Sequence, residues 1–225
     1  MKKIICIIVV IIAAVAAGVF VFLNINSQVS ILSNEASTIK NMDINNDDVD
    51  MTLHCTGDYM AVEDAMKSYI NSYLEELKNF ENIMNDDALT TLLGIDNLSA
   101  DIPDFANSRA LIETKKQEIS TEGLKLIDMA KEENIMAALD GSGVSNFQKN
   151  LYKKMMLENI GTSFYYPESE IEKAETEKIT RLDNIGSVFD FLQMNLGNWS
   201  INDSMIKFNN DQLLNEYRDL ISNIN

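Results

Sequence analysis

Histidine is almost absent from this chain, since His54 is the only one in 225 residues. A zinc site of the helical His-Glu-x-x-His type therefore cannot form, and the sequence has no Cys-x-x-Cys pair either. It also lacks a phosphate-binding P-loop and a Gly-x-Ser-x-Gly nucleophile turn. The sequence thus predicts a non-enzymatic protein without a cofactor. The alternative left open is a hydrolase that uses two of the many carboxylates.

Cysteine is nearly as rare, with only Cys6 and Cys55. Cys6 lies in an apolar N-terminal run and Cys55 lies far beyond it, so a bond between them would have to bridge most of a membrane. We therefore expect no intrachain disulfide and a buried, unreactive Cys55. His54 is its neighbour, but adjacent side chains of an extended segment point to opposite faces, which argues against a catalytic dyad.

Basic residues are scarce, because 18 Lys and Arg stand against 35 Asp and Glu, for a formal net charge of −17. Nucleic acid is excluded as a partner, since binding it requires clustered cations that replace counterions. We interpret the excess negative charge as a solubilising surface. Acidic pairs such as Glu75-Glu76 are accordingly expected on solvated helix faces.

One long stretch, residues 4–23, has no charge at all and follows Lys2 and Lys3. About twenty helical residues cross the roughly 30 Å hydrocarbon core of a bilayer, so this stretch is predicted to be a transmembrane signal-anchor. The two lysines place the N-terminus in the cytoplasm and the rest of the chain outside it. The anchor residues are Ile4, Ile12, Ala14, Gly18, Phe22 and Leu23.

Two further hypotheses concern this segment. Ala14-Val15-Ala16 offers a signal cleavage site, and cutting there would release a secreted protein. Ala14 and Gly18 place small residues four apart, a spacing that lets two helix backbones approach closely. A homodimer through the transmembrane helix is therefore a second hypothesis.

The predicted organisation is an anchor over residues 1–23, a flexible acidic tether over 24–57, and an extracytoplasmic helical domain over 58–225. The tether is rich in Asn, Asp and Ser and shows no sustained periodicity. Within it, Asp43, Asn45 and Asp47 occupy the first three ligand positions of an EF-hand-type loop. Because the glycine and glutamate of the later positions are missing, they are only weak calcium candidates.

Beyond residue 58 the fold class is mainly α, a multi-helix bundle with a small C-terminal β-hairpin. Apolar residues recur at spacings of three and four over about 58–84, 104–131 and 168–196. Glu76 falls on the polar side of the first of these helices, and Gly123 in the second predicts a kink or a close contact. Alternating apolar residues on both sides of Asn202-Asp203-Ser204 predict the hairpin, before a final helix.

The leading functional hypothesis is a membrane-anchored scaffold or protein-interaction component of the cell envelope, with a protein partner of unknown identity. The methionines are one candidate surface, because a flexible thioether adapts to different partners. The alternative is a domain that binds a small ligand and serves a transporter or a sensor. A buried polar pocket would favour that alternative.

Overall fold

The computed structural model describes residues 23–44, 46–86 and 91–224. Its fold is mainly helical with a small C-terminal hairpin, as predicted. The described part of the first helix, α1, covers residues 23–40. The elements that follow are α2 (Asp58–Met84), α3 (Ile95–Asp101), α4 (Ala106–Met129), α5 (Glu132–Ala137), α6 (Asn146–Lys153), a π-helical segment (Lys154–Ile160), α7 (Gly161–Phe164), α8 (Glu168–Met194), β1 (Trp199–Asn202), β2 (Met205–Phe208) and α9 (Asp211–Ser222).

The predicted membrane anchor lies outside the described residues, except for its last member, Leu23. Leu23 is helical and exposed. Across residues 23–44, 46–86 and 91–224, no helix is both long enough and apolar enough to cross a bilayer.

The flexible tether predicted over 24–57 differs from the structure, because α1 occupies its first part. Leu32, Ala36 and Ile39 are buried at helical spacing along α1. Asparagine and serine between them made the segment resemble a loop, but burial of one apolar stripe stabilises a helix of weak intrinsic propensity. Residues 47–56 of the tether, which we call the extended segment, form neither a helix nor a strand in the described chain.

The chain divides into two compact units. The first comprises the described residues of Met1–Leu74 with Met129–Tyr165, and the second comprises Glu75–Asp128 with the described residues of Tyr166–Asn225. The predicted boundary at residue 58 does not coincide with this division, because the extended segment and α1 belong to the same unit as the first part of α2.

In the first unit, α6 begins with a capping box, which the sequence predicts because Gln148 follows Ser145 by three residues. The Ser145 hydroxyl accepts a hydrogen bond from Gln148 N–H, and the Gln148 side chain accepts one from Ser145 N–H at 2.8 Å. Both of these amide groups would otherwise lack a partner at a helix start. Phe147, expected on the buried face of this helix, is instead exposed, whereas Met155 and Met156 are buried as expected.

In the second unit, the hairpin forms at the predicted place, with Trp199 opposite Phe208 and Asn202 opposite Met205. Its two turn residues, Asp203 and Ser204, have φ of 52° and 56°, which a tight two-residue turn requires. The Trp199 indole N–H donates to the Leu192 carbonyl at 2.8 Å and joins the hairpin to α8. The periodicity of the final helix, α9, predicts a buried apolar face. The apolar residues of this face are only half-buried in the structure.

Candidate functional site

Four charged or titratable side chains converge in the first unit, and we call them the Glu63 cluster: Glu35, His54, Glu63 and Lys67. Glu35 comes from α1, His54 comes from the extended segment, and the other two lie one turn apart on α2. The four residues come from three separate segments of the chain. Only the folded chain brings the four together.

Glu63 is completely buried, yet each of its oxygens has hydrogen-bond donors. Oε2 accepts from His54 N–H at 2.8 Å and from Cys55 N–H at 2.7 Å, and Oε1 lies 2.9 Å from Lys67 Nζ. Burial alone would raise the pKa of Glu63, but these donors outweigh it and hold the pKa below its usual value. Glu63 is therefore ionised and fastens the extended segment to α2.

Lys67 is also buried, with 1% of its side chain exposed. Its ammonium contacts Glu35 Oε2 at 2.8 Å and Glu63 Oε1 at 2.9 Å, and it donates to the Thr52 carbonyl at 2.6 Å. Burial lowers the pKa of Lys67, but the two carboxylates raise it by more, so the net pKa is above its usual value. All three donor positions of the ammonium are thus used.

His54 stands at the edge of the cluster, with 47% of its side chain exposed. Its Nδ1 lies 2.9 Å from Glu35 Oε1 and 3.7 Å from Glu63 Oε1. One ring nitrogen of His54, one oxygen of Glu35 and one oxygen of Glu63 therefore all lie within 4.8 Å of one another. These three side chains are of the types that hold metal ions in proteins.

Cys55 is buried, as expected, and its thiol faces the Gln28 carbonyl oxygen at 3.9 Å. Burial, followed by the charge of Glu63, raises the pKa of the Cys55 thiol to about 12. Since only a thiolate is an effective nucleophile, Cys55 is unreactive in this environment. The His54 Nδ1 is paired with Glu35, whereas the Cys55 thiol faces Gln28.

The calcium candidates lie in a turn between α1 and the extended segment. Asp47 Oδ2 accepts from Asp43 N–H at 2.7 Å, and Asp43 Oδ2 accepts from the Asn46 side-chain amide at 2.7 Å. Asn45 lies outside the described residues. The two aspartates thus close a local turn through hydrogen bonds to neighbouring residues.

A polar groove of about 620 Å³ runs beside this turn. Its lining includes four acidic residues and a single buried base, Lys67: the acidic residues are Glu35, Asp47, Asp48 and Asp50. The groove is therefore negatively charged, and two members of the Glu63 cluster, Glu35 and Lys67, line it.

The second unit contains a contrasting group, which we call the Glu76 cluster: Glu76, Glu122, Lys125 and Glu175. Glu76 was expected on a solvated face but is buried, with Lys125 Nζ on one of its oxygens. Glu76 Oε1 and Glu122 Oε2 are buried and lack a hydrogen-bond partner among the described residues. Burial and then the Glu122 carboxyl raise the pKa of Glu76, while hydrogen bonding with Glu76 lowers the pKa of Glu122. Glu76 is therefore the more easily protonated of these two carboxyl groups.

Glu175, on α8, lies directly over Gly123 of α4. A Cβ atom on Gly123 would stand 1.4 Å from Glu175 Oε1, so no other residue fits beneath this carboxyl group as it is placed. The close contact predicted at this glycine is therefore present. Burial, and to a lesser extent Glu172, raises the pKa of Glu175.

Apolar side chains are exposed along the end of α8 and the hairpin in the second unit. Met194 is 80% exposed, Leu196 44% and Met205 56%. Isolated apolar residues are common on protein surfaces, whereas grouped ones are typical of interaction sites. We call these three residues the hairpin patch.

Comparison with known proteins does not assign this chain, because no family model matches it, and neither does any curated protein or solved structure. Interpretation therefore depends on the residues themselves. Sequence reasoning considered His54 only as a partner of Cys55 and argued against that dyad, and it missed Glu35, Glu63 and Lys67. A signal for the latter two existed, since both lie beside Val62 and Met66 on the apolar face of α2.

Proposed function

We propose that the chain is a single-pass membrane protein whose extracytoplasmic part binds another protein and catalyses no reaction. The observation that carries this proposal is the hairpin patch, in which Met194, Leu196 and Met205 expose large apolar side chains. Burying one such side chain against a partner contributes about 1.5–3 kcal/mol. Two of the three are methionines, whose flexible thioethers adapt to the shape of a partner.

The acidic composition also suits this role. A net charge of −17 keeps an exposed apolar patch from associating with other copies, since like-charged molecules repel one another. The same charge favours a partner with a basic surface around its contact site. Residues 4–23 supply the membrane attachment in this proposal.

Site-specific photo-crosslinking in intact cells tests the contact surface. A photoreactive amino acid at position 194 or 205 should give an adduct of one defined mass. The matched control is position 173, because Lys173 lies on α8 with 75% of its side chain exposed and is not apolar. Adducts at all three positions, or at none, would contradict a specific surface at the hairpin.

Membrane attachment is tested separately by alkaline extraction of membranes. The full chain should remain with the membrane, whereas a chain beginning at Asn24 should be released into the soluble fraction. Release of the full chain in processed form would instead support the cleaved-signal alternative.

A second candidate function is capture of a small cationic ligand, and the acidic groove of about 620 Å³ favours it. This volume is within the range of ligand-binding pockets, although such pockets are usually more apolar. Spermidine, as a cationic probe, should raise the melting temperature more than an uncharged sugar does. Equal effects of the two probes would remove this candidate.

A further inference from the structure

The geometry points to a binding site for one divalent first-row transition metal, zinc above all, formed by Glu35 Oε1, His54 Nδ1 and Glu63 Oε1. The three atoms lie within 4.8 Å of one another. Zinc bonds of about 2.0–2.1 Å in a tetrahedral site separate neighbouring ligand atoms by roughly 3.3 Å. The separations of 2.9 Å and 3.7 Å from His54 Nδ1 to the two carboxylates lie on either side of that value.

The ligand types select the metal. Imidazole nitrogen suits zinc and its first-row neighbours, whereas calcium and magnesium prefer sites built entirely from oxygen. Three protein ligands leave a fourth zinc position for water. This site is therefore distinct from the calcium candidates Asp43, Asn45 and Asp47, which contribute no atom to it.

The two carboxylates are already held in position by groups outside the ligand set. Glu63 Oε2 is fixed by the N–H groups of His54 and Cys55, and Glu35 Oε2 is fixed by the Lys67 ammonium. Such outer contacts orient ligands and raise affinity in known metal sites. Glu35 Oε1 is left facing His54 Nδ1 at 2.9 Å, and a metal bound between them requires the neutral imidazole to carry its proton on Nε2.

Charge both favours and limits this site. Glu35 and Glu63 carry two negative charges and Lys67 one positive, so with a neutral imidazole the cluster keeps one uncompensated negative charge. Asp47, Asp48 and Asp50 in the adjoining groove strengthen the attraction for a cation. Lys67 opposes the metal, because its ammonium lies 2.9 Å from the ligand atom Glu63 Oε1 and 2.8 Å from Glu35 Oε2, and it is expected to lower the affinity.

Nuclear magnetic resonance offers a direct test, because His54 is the only imidazole in the chain. The full 225-residue chain, purified in mild detergent with ¹⁵N-labelled histidine, shows only one pair of ring nitrogens. Added zinc chloride should shift Nδ1 strongly and Nε2 weakly. Calorimetry should give one zinc per chain. The absence of saturable zinc binding would overturn the proposal.

Variants locate the ligands. His54→Ala and Glu35→Gln should each weaken zinc binding by at least about 100-fold, since loss of even an outer contact typically weakens it 10–100-fold. Asp48→Asn, which removes a charge from the same groove but no ligand, is the matched control and should change affinity little. If His54→Ala binds zinc as tightly as the original chain, the assignment is wrong.

Lys67→Met distinguishes a metal site from a merely structural ion-pair network. In a metal site the loss of the ammonium should tighten zinc binding, even though the fold becomes less stable. The melting temperature of this variant should also rise on addition of zinc by more than that of the original chain. A variant that loses stability and gains nothing from zinc would contradict the proposal, as would displacement of zinc by an equal concentration of calcium.

Discussion

Helix α2 buries two glutamates, Glu63 and Glu76, whose surroundings differ. Glu63 receives two backbone N–H groups and an ammonium, and its pKa is lowered. Glu76 has one ammonium, a buried oxygen without a partner, and a carboxyl neighbour, and its pKa is raised. The pKa of the same side chain on the same helix is thus lowered in one unit and raised in the other. The donors that the tertiary structure supplies make the difference.

The largest loss of stability is expected from a substitution at Glu63. Glu63→Ala leaves a buried ammonium with one carboxylate fewer and two N–H groups without an acceptor. We expect a loss of about 3–5 kcal/mol in the free energy of unfolding, the usual effect of breaking a buried ion pair. Urea unfolding in the presence of EDTA measures it. Asp64→Ala, an exposed neighbour on α2, is the control and should stay within about 0.5 kcal/mol of the original chain.

Asp101 tests whether hydrogen-bond donors determine the pKa of a buried carboxylate, regardless of the unit in which it lies. It lies in the second unit, as Glu76 does, but accepts from Ser108 N–H at 2.7 Å and from Asn107 N–H at 3.2 Å, at the start of α4. Asp101→Ala should cost about 0.5–2 kcal/mol, as loss of a helix cap does.

Acid should remove this contribution of Asp101. Burial alone raises the pKa of Asp101, but the hydrogen bonds from Ser108 and Asn107 lower it by more. The net pKa is therefore below its ordinary value of 3.8. The stabilisation is therefore present above the ordinary pKa and is lost as the pH falls through the lowered one. A difference between variant and original chain that is independent of pH would contradict this account.

Glu76→Gln should have the opposite sign. Because the folded-state pKa of Glu76 is raised above 4.5, its protonated form contributes stability below that pH and loses it as the pH rises through the folded value. Glutamine imitates the protonated form, so the variant should melt higher than the original chain near neutral pH and equally at acidic pH. Thermal melting across this range checks it, and a lower melting temperature at neutral pH would show that Glu76 is ionised.

The smallest expected effect concerns the glycine beneath Glu175. Gly186→Ala, in the open middle of α8, should gain up to about 1 kcal/mol from helix propensity. Gly123→Ala should gain almost nothing, because the new Cβ must displace the Glu175 carboxyl group. Combining it with Glu175→Ala should restore the gain, which a double-mutant cycle measures. Equal gains at both glycines would mean that Glu175 moves away without cost.

Periodic segments of the sequence predicted α2, α4 and α8 to within a few residues, and the cap at Ser145 and the hairpin at Asn202-Asp203-Ser204 are confirmed, whereas α3 was not predicted. These features depend on neighbours in sequence, so local patterns report them. α1 escaped prediction because its residues favour loops and only tertiary burial of Leu32 and Ile39 compensates.

The candidate site was much less predictable. Glu35, His54 and Lys67 lie far apart along the chain, and 35 acidic residues offer no way to choose two. A charged residue on an apolar helix face, such as Glu63, signals a buried pair but does not identify its partner. The same limit explains why Glu76 was expected on a solvated face.

The sequence by itself determined the class of the protein: an acidic, mainly helical chain with one histidine, few cysteines and one long uncharged run. These properties follow from composition and local periodicity, which require no knowledge of distant contacts. The folded structure was needed to show which carboxyl groups have a lowered pKa, which have a raised one, and which approach the single imidazole. Such states depend on distances of about 3 Å between groups far apart in the chain, and only folding sets those distances.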